Sequence, residues 1–255
     1  MKKKSNVGGR PTGRIKTAKI EVTIEPNGEI QRYRENYRYL YDVRRQEVQQ
    51  AIASGKLQEA ILVALEGKEL DKGTPYTAEW VKMLIDLYAQ TAQTEKCKEE
   101  LMHYTLHYMQ DNLQYVMRLK EMTPAEEWAS VRSQLLHSKS MHWRKCEFLH
   151  SEQMYRQLFE IAAAEGTTNL LFAYEDDFKD SFPEETRDAI LQALDTEMQD
   201  ARKRGHYASI AQSLCRVRSY PDGNIFANDM AMRWAQQYFR RSAMKEELRN
   251  AGFPV

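Results

Sequence analysis

His142, Cys146 and His150 stand four residues apart in one stretch of the chain. On a helix that spacing lines them along one face, where neighbours one turn apart can share a metal ion. At 1.5 Å rise per residue the outer two would be about 12 Å apart, so one ion cannot use all three. His103 and His107 repeat the spacing in HYTLH, without the glutamate that follows the first histidine in a zinc-protease helix. A metal at either place needs ligands from elsewhere, and a packed helix face with polar edges is the plainer reading. In YEDDF, Glu175, Asp176 and Asp177 are adjacent. Adjacent helix positions point in different directions, so the expectation is a solvated helix end rather than an acid–base pair. The chain has no G-x-S-x-G elbow, no phosphate-binding loop and no dinucleotide fingerprint. The sequence therefore assigns no catalytic, cofactor-binding or metal-ligating residue.

A different chemistry is written at the N-terminus. Lys2, Lys3, Lys4, Arg10, Arg14, Lys16 and Lys19 fall within residues 1–20, which contain no Asp or Glu. The chain is neutral overall, so the remainder carries the balancing negative charge. A basic leader on a mildly acidic body suits a polyanion or an acidic surface as partner, and these seven cations are the candidate nucleic-acid-binding residues. The alternative is a solvated tail. Within GGRPTGR, Gly9-Arg10-Pro11 is similar to the centre of an AT-hook, which lies in the narrow A·T minor groove. Gly8 stands where that motif has its first arginine. A ribbon–helix–helix reading is disfavoured by Glu21 and Glu25 on the strand that would face the phosphates. RYRENYRYLYDVRR (32–45) interleaves arginine and tyrosine, a composition that can stack on unpaired bases. Helical spacing gives the plainer account: Tyr33, Tyr37, Leu40 and Tyr41 form a packing stripe edged by arginines.

The elements behind these residues read as helices. With 255 residues, 11 glycines and 7 prolines, breakers are few and a core can form without staples. Residues 1–18 read as a disordered basic leader. Ile20, Val22 and Ile24 alternate with Glu21, Thr23 and Glu25, a strand signal, and Pro26-Asn27-Gly28 then favours a short hairpin or an N-cap at Asn27. Helical periodicity runs from Ile30 to a stop near Ser54-Gly55, then about 57–66, 77–91, and 94–119 with a break near Asp111. Thr123-Pro124 opens a further helix. Others are expected over about 140–164, 168–180, 183–204, 206–218, 224–240 and 242–250, with Gly252 as a stop. The expected fold is all-α: antiparallel helix hairpins stacked as a tetratricopeptide-like α-solenoid, or an irregular helical bundle, after a short β-strand or hairpin. Residues 19–255 read as one helical-repeat domain, with 120–125 as the place for a sub-division. Cys97, Cys146 and Cys215 are far apart and form no C-x-x-C, no secretory leader is evident and no long apolar run is present. The expectation is a cytoplasmic protein.

From Trp128 onward, the stretches EWASVRSQLL (127–136), SFPEETRDAIL (181–191), ARKRGHYASIAQSL (201–214) and WAQQYFRRSAMKEELRNAGF (234–253) resemble the helical region that follows the zinc finger in bacterial SWIM-domain proteins. The C-x-C and C-x-H ligands of that finger are absent, so no metal residue is carried over. The resemblance implies a tetratricopeptide-like array without its finger. In it, Trp234, Tyr238, Ala243 and Leu248 can seal the last hairpin, with Arg240 and Arg241 at a helix end. The functional expectation is a non-catalytic helical-repeat module or adaptor that binds a protein partner. The alternative is a nucleic-acid-associated accessory factor using the basic leader.

Overall fold

Helix ends, more than helix interiors, decide this architecture. After α1 (Tyr41–Ala53), Gly55 takes a left-handed φ of +72°. The Lys56 N–H reaches back to the Ala51 carbonyl (2.9 Å) and the Gly55 N–H to that of Ile52 (3.0 Å). This is a Schellman stop, and it folds the chain straight into α2 (Leu57–Leu70). A computed structural model describes residues 36–109 and 113–255, and the chain divides into two units, Met1–Thr91 and Ala92–Val255. Among the described residues there are fourteen α-helices and no strand. The fold class is all-α. The basic leader and the strand or hairpin expected over Ile20–Ile30 lie outside the described residues. No helix among the described residues is long and apolar enough to cross a membrane.

In the first unit, α1 and α3 (Tyr76–Gln90) both pack on α2. The helix expected from Ile30 is interrupted: Asn36 and Tyr37 are helical, a turn and bend follow at 38–40, and α1 starts at Tyr41. Tyr37 and Leu40, expected in a packing stripe, are exposed, whereas Arg44, expected on an edge, is fully buried. Arg44 donates to Asp71 Oδ2 (2.6 Å) and to the Arg38 carbonyl (2.7 Å), and Trp80 Nε1 donates to the same Asp71 oxygen (2.6 Å). Gly67 on α2 makes room for this junction. A Cβ there would lie 2.5 Å from Trp80 Cε2.

The second unit contains α4 (Thr94–His107), α5 (Gln114–Glu121), α6 (Ala125–His137), a 3-10 turn (His142–Arg144), α7 (Lys145–Ser151), α8 (Tyr155–Ala164), α9 (Thr168–Ala173), α10 (Glu175–Ser181), α11 (Pro183–Asp200), α12 (Arg204–Val217), α13 (Gly223–Gln237) and α14 (Ser242–Asn250). Helix α11 is central: it packs against α8, α9, α10, α12 and α13. Its Ile190, Leu194 and Met198 join Leu158, Phe178, Leu214, Trp234 and Leu248 in one core. Trp234 and Leu248 are buried as the sequence suggests. Arg241, however, does not cap its own helix. It donates to the Met198 carbonyl (2.8 Å) at the far end of α11.

Two expected helices are broken. The one expected over 140–164 stops after Ser151, because Gln153 adopts φ +56°. The Met154 N–H bonds the Leu149 carbonyl (2.8 Å) and the Gln153 N–H that of His150 (2.9 Å), the same Schellman geometry as at Gly55 without the glycine. The one expected over 168–180 divides at Tyr174, which leaves helical geometry at φ −121°, ψ 27°. Both kinds of backbone feature can be tested through stability. Gly67→Ala should lower stability by about 1–3 kcal/mol through overpacking on Trp80, although alanine's propensity alone would raise it by about 1 kcal/mol. Gln153→Gly should raise stability by about 1 kcal/mol by relieving the left-handed backbone. Urea melts of the two variants against the parent chain measure both.

Candidate functional site

The seven candidate nucleic-acid-binding cations, Lys2, Lys3, Lys4, Arg10, Arg14, Lys16 and Lys19, lie outside the described residues, as does the Gly9-Arg10-Pro11 segment. The other residue groups that the sequence singles out are placed, and the structure separates most of them.

His142 sits on the 3-10 turn, while Cys146 and His150 sit on the seven-residue α7. The three therefore do not share one helix face. His150 turns to Asp177 on α10, with Nε2 2.9 Å from Oδ2. Tyr155 and Tyr174 flank that imidazole, at 6.0 and 5.1 Å between ring centroids. Burial, reinforced by the negative charge of Glu165, pushes the Cys146 thiol above its usual range. A nucleophile or soft-metal ligand needs the thiolate, so the environment of Cys146 disfavours both roles. His103 and His107 lie edge to face at 5.1 Å on α4. They line a hollow of about 480 Å³ together with Glu95, Lys98 and Glu99. Among the described residues no three His, Cys, Asp or Glu side chains converge in a way that could hold a metal ion.

The acidic run at 175–177 is not simply a solvated helix end. Glu175 accepts from Tyr220 Oη at 2.9 Å and pairs with Arg216, while Asp177 takes His150. Burial, with Glu175 alongside, drives the Tyr220 hydroxyl far above its usual range, which keeps it protonated as a donor. Arg216 also lies 3.9 Å over the Phe172 ring. These carboxylates anchor α10 to α7 and α12 in different directions, as adjacent positions must. A further hollow of about 430 Å³ lies among Gly166, Thr167, Glu197, Asp200, His206 and Ser209. There Glu197 Oε1 accepts from both the Thr168 N–H (3.0 Å) and its hydroxyl (2.9 Å), so one of its oxygens is committed to starting α9.

The surface with the most distinctive composition escaped the sequence reading. It is the turn between α6 and α7. Of the four tryptophans, Trp80, Trp128 and Trp234 are buried, whereas Trp143 is 88% exposed. The turn that carries it is firmly built. Ser140 Oγ donates to the Thr105 carbonyl at 2.6 Å, the Met141 N–H bonds Ser138 Oγ at 3.3 Å, and Met141 is buried. Burying the one apolar neighbour inward forces the next two side chains, His142 and Trp143, outward. The signal in the sequence is compositional: residues 128–146 contain no Asp or Glu but hold Arg132, Lys139, Arg144 and Lys145.

Beneath the far end of α7, Glu152 fixes the turn that follows. It is almost fully buried and receives Lys120 Nζ (2.8 Å), Trp128 Nε1 (2.8 Å) and Arg132 Nη1 (3.4 Å). Burial alone would raise its pKa, but the hydrogen bonds from Lys120, Trp128 and Arg132 outweigh it and hold the carboxyl below its usual range. No protein-family model, curated protein or solved structure matches the chain.

The Glu152 junction yields a pH prediction. A carboxyl with a depressed folded pKa contributes stability that is present above its unfolded pKa, near 4.5, and is lost as pH falls through the folded value. Glu152→Gln should therefore cost about 1–3 kcal/mol at neutral pH. It should also flatten the fall in stability below about pH 4.5. Thermal melts of parent and variant from pH 7 to pH 3 compare the two profiles.

Proposed function

We propose that this chain is a non-catalytic helical interaction module, tetratricopeptide-like in character, that binds another protein as an adaptor in the cytoplasm. The observation that carries the reading is helix α13, which buries one apolar face and exposes large apolar side chains on the opposite one. Its inner face buries Ala227, Met230, Ala231 and Trp234. Its outer face presents Ile225 at 62% and Met232 at 39% exposure, seven residues apart, with Phe239 at 63% just beyond its end. An exposed apolar strip on a scaffold is the usual mark of a protein-binding face. The three free thiols suit a reducing compartment, and the resemblance of residues 127–253 to the SWIM-associated helical region supports a repeat array.

A second reading, association with nucleic acid, draws on the basic leader and on the exposed turn at Trp143, within a stretch (128–146) that has no Asp or Glu. In that reading Lys2, Lys3, Lys4, Arg10, Arg14, Lys16 and Lys19 supply sequence-independent affinity through counterion release.

The protein-binding reading predicts that the full chain, immobilised and exposed to lysate of its source cells, retains a defined protein. The double substitution Ile225→Asp/Met232→Asp should lose that protein while leaving the circular dichroism spectrum unchanged. An identical set of retained proteins for parent and variant would contradict the reading.

A further inference from the structure

We infer that the turn at Trp143 is a stacking platform for single-stranded nucleic acid, in which the indole takes a base and Lys139 and Lys145 take the flanking phosphates. This inference rests on the second reading above and gives it a site in the folded part of the chain, separate from the leader.

The starting point is an energetic oddity. A tryptophan buries more apolar surface than almost any other side chain, and leaving it in water forfeits that gain. The three other tryptophans of this chain are buried, each with its indole nitrogen bonded to a carboxylate. Trp143 is 88% exposed on a turn too well tied to swing it inward. The Ser140 hydroxyl reaches both the Thr105 carbonyl (2.6 Å) and that of Leu106 (3.1 Å), and the Arg144 N–H bonds the Met141 carbonyl (2.9 Å). The position is held, so the indole face is presented before any ligand arrives.

The neighbours then decide what kind of ligand. A tryptophan at the centre of a protein–protein interface is typically ringed by side chains that exclude water. Here the neighbours along the chain, Lys139, Arg144 and Lys145, are cations. Lys139 is exposed and Lys145 half-buried, and His142 meets the indole edge to face at 5.3 Å. Arg144 is partly engaged by Glu147 at 2.9 Å, the first acidic residue after Glu127 in the sequence. His103 and His107 lie on α4, whose last turn carries the Thr105 and Leu106 carbonyls that hold Ser140. An aromatic face among cations is the chemistry of sequence-tolerant binding to unpaired bases. A duplex keeps its bases stacked on each other and offers this indole none.

The chain contains its own probe. Because the other three tryptophans are buried, an emission change on stacking reports Trp143. The experiment titrates the full-length protein with an oligothymidylate of about 20 nucleotides, longer than a typical single-strand site. Fluorescence follows the indole, and anisotropy of the labelled strand follows binding. Saturation should quench a tryptophan component that Trp143→Phe lacks. Trp143→Phe should bind within about twofold of the parent, since phenylalanine still stacks, and Trp143→Ala should bind at least about fivefold more weakly. Lys139→Glu/Lys145→Glu should lower the slope of log affinity against log salt by about 1.4, because each phosphate no longer neutralised removes about 0.7. A chain lacking residues 1–19 should bind more weakly yet keep the quench. Binding with unchanged tryptophan emission, and with Trp143→Ala equal to the parent, would overturn the platform while leaving a leader-based reading standing. Loss of both binding and quench on deleting residues 1–19 would overturn the platform in favour of the leader. No binding by the full chain would overturn both.

Discussion

A buried tryptophan whose indole N–H is held by a carboxylate, which in turn meets a cation, recurs at the joints of this protein. Trp80 donates to Asp71, which also takes Arg44. Trp128 donates to Glu152, which also takes Lys120 and Arg132. Trp234 donates to Asp195, with Arg233 at 3.5 Å. The logic is the same each time. An indole brings a large apolar area and one donor that cannot be left unpaired in the core. A carboxylate satisfies it but imports a charge, and the cation makes that charge tolerable. The directional bond from indole to carboxylate lets the junction specify geometry as well as contribute stability.

The junctions also position what is offered to solvent. In the second unit the Glu152 site closes the turn after α7, and the hydrogen bonds of Ser138 and Ser140 close the turn before it. The short helix is therefore held at both ends. Trp143 is left on the outside by that same closure. Asp195 sits on α11, the helix around which α8 to α13 pack, and its bond to Trp234 sets the inward face of α13. The exposed Ile225 and Met232 lie on the opposite side by consequence.

Much of the fold was legible because helix formers are dense and breakers sparse. The all-α class follows from that. The stops at Gly55 and Gly252 were visible because glycine adopts positive φ without strain; Gly252 takes +82° here. The break at Gln153 was invisible for the converse reason. A glutamine in the left-handed region carries no sequence signal, and what stabilises it is the burial of Glu152 among side chains 20 to 32 residues earlier. Arg44 misled for a similar reason: an arginine at a core position is inexplicable until Asp71 is brought beside it. At the candidate site, the four-residue spacing of His142, Cys146 and His150 suggested one helix face, which the 3-10 turn abolishes. The platform at Trp143 was obscured because a tryptophan in sequence is ordinarily taken for core. Its isolation becomes clear only when Met141 is seen to point inward.

Indole, carboxylate and cation are held here to act together. A double-mutant cycle on Trp234 and Asp195 tests that claim most directly, with Trp234→Phe, Asp195→Asn and their combination measured by urea denaturation. The expected coupling is about 1–3 kcal/mol, with the double variant losing far less than the sum of the single ones. Additive losses, with a coupling near zero, would show that the bond is incidental and that apolar packing alone holds α11 to α13.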